Sequence, residues 1–152
     1  RLAAQRPVDR VVLVSPYGLW LDDAPLPDPF TQMPDQLAKL KFADVSLAAK
    51  EPSALGETKD FNPATWRMTN LAGATKFLWP IPDRGFSRRA QYVSAPTLIV
   101  RGEADGLVTA PYEDAWKNAI KSAKVQRIAK AGHLPQIEAE DAFVKAVSDF
   151  LK

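Results

Sequence analysis

Cysteine is absent from the 152 residues, which excludes a disulfide framework and any cysteine-ligated metal site. Histidine occurs once, at His133, so a histidine-rich metal site is excluded too, and no cofactor is expected. No apolar run approaches the ~18 residues that a membrane-spanning helix requires, so no membrane partner is expected. Neither sign of charge dominates: 20 Lys and Arg face 18 Asp and Glu, for a net charge of +2 and a pI near 8.9. A nucleic-acid face needs clustered basic residues. The nearest cluster, Arg84, Arg88 and Arg89, is small, lies beside Asp83 and has the character of a solvated surface, so nucleic acid is not an expected partner. The first residues, RLAAQRPVDR, show no signal-peptide pattern and resemble the end of a helix. They suggest a fragment whose beginning lies elsewhere, in a cytoplasmic protein.

What is present is the patterning of an α/β domain. The length suits one domain with a real core, and 46% hydrophobic with 25% charged residues is ordinary for a globular chain. VDRVVLVS (8–15) and APTLIVRG (95–102) are continuously apolar and do not alternate, as in parallel strands covered on both faces. KVQRIAKAG (124–132) is a weaker third strand. Between the last two, TAPYEDAWKNAIKSA (109–123) places Tyr112, Ala115, Trp116, Ala119 and Ile120 on one helical face, with Pro111 where a first turn tolerates it. The final stretch puts Phe143, Ala146, Val147, Phe150 and Leu151 on one stripe, with Glu138, Glu140 and Asp141 at the favourable end of the helix dipole. Strand, helix, strand, helix from residue 95 onward predicts right-handed parallel crossovers.

The stretch from 16 to 94 breaks that rhythm and holds nine of the thirteen prolines. It is expected to be loop-rich, with helices over 35–50 and 64–78, the second aligning Met68, Leu71, Ala74 or Thr75, and Leu78. LWPIPDRG (78–85) must be extended, because two prolines forbid a continuous helix. An excursion of this size between two buried strands is a candidate lid.

Ligands bind beyond the carboxyl ends of the strands in an open parallel sheet. RGEADGLV (101–108) and KAGHLPQ (130–136) leave two such ends, carrying Asp105 and His133. Neighbouring strands would bring the carboxylate to one ring nitrogen, leaving the other nitrogen free to take a proton from a nucleophile. Asp105 in EADG equally suits a turn former, His133 a satisfied surface residue, and Glu103 could compete as the acid. The joint occurrence at consecutive strand ends, each residue near a glycine, favours the paired reading.

These segments, APTLIVRGEADGLV, AGHLPQIE and FVKAVSDFL, resemble the C-terminal part of the α/β-hydrolase superfamily; VDRVVLVSPYG and FLWPIPDRGFSRR extend the likeness over nearly the whole chain. The resemblance implies an α/β fold of parallel strands flanked by helices with a helical, Pro-rich cap insertion. It divides the chain into a core strand with a helix tail (1–18), a cap (19–92) and a C-terminal core (93–152). It assigns Asp105 as the acid and His133 as the histidine of a triad. The family's G-x-S-x-G elbow is absent: Ser15, Ser46, Ser53, Ser87, Ser94, Ser122 and Ser148 all lack the flanking glycines. Ser15 comes closest by location, but Pro16 follows where the oxyanion hole needs an N–H. The expectation is therefore the second half of a serine hydrolase that cleaves a carboxylic ester, or a C–C bond beside a carbonyl, through an acyl-enzyme. Its partners would be a small apolar carbonyl substrate and the missing N-terminal half. Trp20, Leu21, Phe77, Trp79, Leu107 and Leu134 are the candidate pocket lining. An aspartate-nucleophile relative, such as a dehalogenase or epoxide hydrolase, would use the same Asp–His half, and a non-catalytic binding module would keep only the pocket.

Overall fold

Three parallel strands, β1 (Val11–Val14), β2 (Thr97–Gly102) and β3 (Ala123–Ile128), form a sheet in the order β1-β2-β3. The computed structural model describes residues 3, 5–51, 62–79, 81 and 85–152. The register sets Val11 beside Thr97 and Thr97 beside Ala123, so the carboxyl ends of β2 and β3 finish together at Gly102 and Ile128.

The continuous apolar run of β2 is explained by its central position, where all six residues are buried. On one face, Ile99 packs with Val108, Tyr112, Trp116 and Ile120, with Val11, Leu13 and Val125 against them. On the other, Leu98 and Val100 pack with Ile128 and Ala131, covered by Phe143, Ala146, Val147 and Phe150. Each large side chain so buried stabilises by about 1.5–3 kcal/mol. The two layers are α4 (Pro111–Ala119) and α6 (Glu140–Leu151), and both apolar stripes expected from the sequence face the sheet. Leu151 is the departure: at 53% exposure it lies beyond the covered part of the stripe.

The insertion holds α1 (Pro34–Lys41), a 3₁₀ helix (Val45–Lys50), α2 (Pro63–Leu78) and α3 (Phe86–Ala90). One helix over 35–50 was expected. The chain instead leaves α1 at Phe42, which is extended and buried, and restarts where the Asp44 carboxylate accepts from the Ser46 N–H at 2.9 Å. The α2 stripe is not a core face, since Met68 and Leu78 are exposed. Of the connector expected to be extended (78–85), Leu78 is instead the last residue of α2, and half of it, including Asp83 and Arg84, lies outside the described residues. The start of the insertion is tied to α4: Trp116 Nε1 donates to the Pro16 carbonyl at 3.1 Å, and the Tyr112 hydroxyl accepts from Leu21 N and donates to the Ala24 carbonyl.

Among the described residues β1 pairs on its β2 side alone, and its four residues are half-buried. Its other edge presents an apolar strand with open ladder groups, a template for pairing. The chain is therefore expected to self-associate during size-exclusion chromatography at tens of micromolar. A single monomeric peak at that concentration would show that the edge is not available.

Candidate active site

Gly102, the last residue of β2, lies against the loop that follows β3. A Cβ there would stand 2.1 Å from the Gly132 carbonyl oxygen and 2.3 Å from that of Ala131, so only glycine allows the two strand-end loops to touch. Glu103 N and Ala104 N then donate to the carbonyls of Ile128 and Ala131. This locks the Asp105 loop to the His133 loop.

Asp105 performs both roles its sequence context offered. Its Oδ1 accepts from the N–H groups of Leu107 and Val108, each at 2.9 Å, which is the turn-forming role. Its carboxylate also meets His133 Nδ1, at 3.0 Å from Oδ2 and 3.2 Å from Oδ1. The Asp105 side chain is 0% exposed and that of His133 is 15%. A carboxylate accepts, so the proton of the neutral ring belongs on Nδ1 and the Nε2 lone pair is left for another proton. Among the described residues, Asp105 is the hydrogen-bond partner of the imidazole, through Nδ1. Ser15 is buried with φ +41° and its Oγ has no partner among the described residues. Glu103 does not take the place of the acid.

The C-terminal end of α1 holds both loops. The Leu40 carbonyl accepts from Gly106 N at 3.0 Å and the Lys41 carbonyl from His133 N at 2.6 Å, which satisfies acceptors that a helix end leaves open. Glu138 completes the clasp: Oε2 accepts from Gly132 N at 2.5 Å, and Oε1 from Ala43 N at 2.8 Å and Asp44 N at 3.0 Å. The sequence pattern put Glu138 at the start of the last helix. It lies instead in a separate turn, α5 (Pro135–Glu138), because Ala139 departs from helical backbone and α6 begins at Glu140. No local pattern links it to Ala43, 95 residues away. Glu138→Ala, which leaves three donors without their carboxylate, is expected to lower stability by about 2 kcal/mol. Urea denaturation measures the loss, and the single histidine gives an NMR signal that should broaden as its loop loosens.

An apolar cavity of about 140 Å³ lies between the start and the end of the insertion, lined by Tyr17, Gly18, Pro29, Phe30, Phe77, Leu78, Ile81, Phe86 and Arg89. Of the six expected lining residues, Phe77 alone borders it. Trp20 and Leu21 pack against the core cluster, Trp79 is half-exposed and edge-on to Phe30, Leu107 is buried at the Asp105 turn, and Leu134 precedes α5. Tyr17, which sequence reasoning passed over, joins the cavity wall and meets the His133 ring edge-on at 5.7 Å. Its one signal was its place three residues past the end of β1. Among the described residues no cluster of three or more potential metal ligands occurs, and no helix is long and apolar enough to cross a membrane.

The sheet order, the insertion after β1 and the Asp–His pair at consecutive strand ends define the C-terminal part of an α/β-hydrolase fold. Solved structures agree. A bacterial membrane phospholipase A is similar at a TM-score of 0.67 and 16% identity, over 98% of this chain and 51% of that one. A meta-cleavage product hydrolase from Pseudomonas fluorescens IP01 matches at 0.62 and 19%, over 94% and 55%. A serine hydrolase involved in carbazole degradation matches at 0.62 and 18%, over 95% and 54%. The chain thus has the α/β-hydrolase fold and spans about half the length of the structures it matches. No family model and no curated protein matches the sequence.

Proposed function

We propose that this chain supplies the acid and the histidine of a serine hydrolase acting on an apolar carboxylic ester or a related carbonyl compound, including one cleaved at a C–C bond. The observation that carries the reading is the buried Asp105 carboxylate 3.0 Å from His133 Nδ1, at the ends of neighbouring strands. In this mechanism Nε2 takes the proton of a serine hydroxyl as that oxygen attacks the carbonyl carbon. The same proton then passes to the leaving group, and water repeats the cycle on the acyl-enzyme. Asp105 holds the ring and stabilises the imidazolium. Phe30, Phe77 and Phe86 suit an apolar substituent. The serine and the oxyanion hole belong to an N-terminal half that pairs along the free edge of β1, because none of the seven serines here has an elbow sequence.

The test is to co-express the chain with the sequence encoded directly upstream of it and assay p-nitrophenyl butyrate. The expected result is turnover, with a fluorophosphonate probe labelling one serine only when His133 is intact. An intermediate trapped on an aspartate would move the chemistry to a dehalogenase-like reaction. Absence of both, from a folded complex, would leave a binding module.

A further inference from the structure

His133 is held at two points. Its ring meets the Asp105 carboxylate, and its backbone N–H donates to the Lys41 carbonyl at the C-terminal end of α1. The second contact depends on the residue before it. A Cβ on Gly132 would stand 2.3 Å from the Lys41 carbonyl oxygen, 2.9 Å from Glu138 Oε2 and 3.0 Å from Ala43 N, so the histidine loop reaches the helix end only with glycine there. Gly106, beside Asp105, repeats the arrangement: its N–H donates to the Leu40 carbonyl, and a Cβ would stand 3.0 Å from that oxygen. Glu138 spans the junction, accepting from Gly132 on the loop side and from Ala43 and Asp44 on the insertion side. α1 itself buries no residue, and Phe42, which ends it, is its apolar anchor. What fixes this helix against the core is therefore largely its polar end, and that end meets the two loops that carry the Asp–His pair.

We propose that α1 and Glu138 position the base: through Gly132 and the His133 N–H, the insertion sets where the imidazole stands against Asp105. The inference rests on the reading of His133 as a base and goes beyond it, adding two positioning residues, Glu138 and Gly132, that touch no reacting atom. The leverage is geometric. Nδ1 lies 3.0 Å from Oδ2, close to the usual hydrogen-bond length, and a backbone shift of about 1 Å takes that separation beyond a hydrogen bond. A misplacement of about 1 Å at a reacting group costs about 10²-fold in rate. The insertion thereby takes part in proton transfer, without contributing a side chain to it.

Two variants loosen the junction without touching Asp105 or His133. Gly132→Ala places a methyl group against the Lys41 carbonyl. Glu138→Gln keeps the shape of the side chain and turns an NH₂ towards a backbone N–H that the carboxylate accepted from, and it carries the test where the alanine chain does not fold. The readout is solvent exchange of the Nδ1–H proton of the sole histidine, followed by NMR on the folded chain. Each variant is expected to speed exchange about tenfold, the factor that loss of one hydrogen bond confers. Glu113→Ala, which lowers stability from α4, is the control and should leave the exchange rate within a factor of about two. In the assembled hydrolase, Glu138→Gln should lower kcat about tenfold and leave KM unchanged. Equal acceleration in all three variants would mean that Glu138 and Gly132 act on stability alone. An unchanged rate in both junction variants would mean that the loop holds the ring without the insertion. Either result overturns the proposal while the Asp–His pair stands. Absence of the Nδ1–H signal from the unaltered chain would remove the base reading itself, and the positioning residues with it.

Discussion

Asp105→Asn is expected to move the neutral imidazole's proton from Nδ1 to Nε2 of His133 while leaving the fold in place. The reason lies in how the carboxylate is shared. Oδ1 accepts from Leu107 N and Val108 N, and the carboxamide oxygen of asparagine can keep those two bonds. Its NH₂ group must then face Nδ1, where Oδ2 stood at 3.0 Å. A donor facing Nδ1 requires that nitrogen to accept, so the ring proton goes to Nε2. The nitrogen needed as a base is thereby blocked. In the assembled hydrolase proposed above, kcat should fall about 10⁴-fold, the scale on which a wrong imidazole tautomer acts in serine proteases. The tautomer can be observed without turnover: His133 is the only histidine, so ¹⁵N NMR of the chain carries one pair of ring signals. Persistence of the Nδ1–H form in the variant would show that something other than Asp105 sets the tautomer.

The parts of this site that were legible in the sequence are those fixed by short-range chemistry. The central position of β2 buries every residue and selects the apolar run Leu98–Val100, and the helical period brings Tyr112, Trp116 and Ile120 to one face. Asp105 and His133 follow from strand ends, since parallel neighbours in register must finish together. The clasp was not legible. Glu138 reaches Ala43 and Asp44 across 95 and 94 residues, and an acidic residue just before a helix has a sufficient local explanation. Of the expected pocket lining, Phe77 alone borders this cavity, for a related reason. Trp20 and Leu21 have the chemistry of a pocket wall, but the bonds from Pro16, Leu21 and Ala24 to α4 draw that segment onto the core. Tyr17 lies in the same segment, and no sequence pattern records its ring contact with His133.

Glu113→Ala is expected to produce the largest loss of stability, about 3–5 kcal/mol, the range for breaking a buried ion pair. Glu113 lies on α4 with a side chain 4% exposed; its Oε1 accepts from Arg101 Nε at 2.6 Å, and its Oε2 from Arg127 Nε at 2.8 Å. Arg101, on β2, has a side chain 6% exposed, so removing the glutamate leaves a guanidinium charge largely cut off from water. Arg127 is mostly solvated, and its replacement by alanine should matter far less. For a chain of this size the loss corresponds to a fall in Tm of about 10 °C, readable by calorimetry. Replacing both partners, as Arg101→Leu with Glu113→Leu, should recover most of it, because no charge then remains buried. A Glu113→Ala variant within about 1 kcal/mol of the unaltered chain would mean that Arg101 finds another partner. The pair also separates two kinds of defect. Glu113 holds α4 to the sheet and Asp105 orients the base, so Glu113→Ala should lower Tm while the folded chain keeps its Nδ1–H signal. Asp105→Asn should exchange that signal at nearly unchanged Tm. Stability and tautomer therefore report on different residues, Glu113 on α4 and Asp105 in the loop before it.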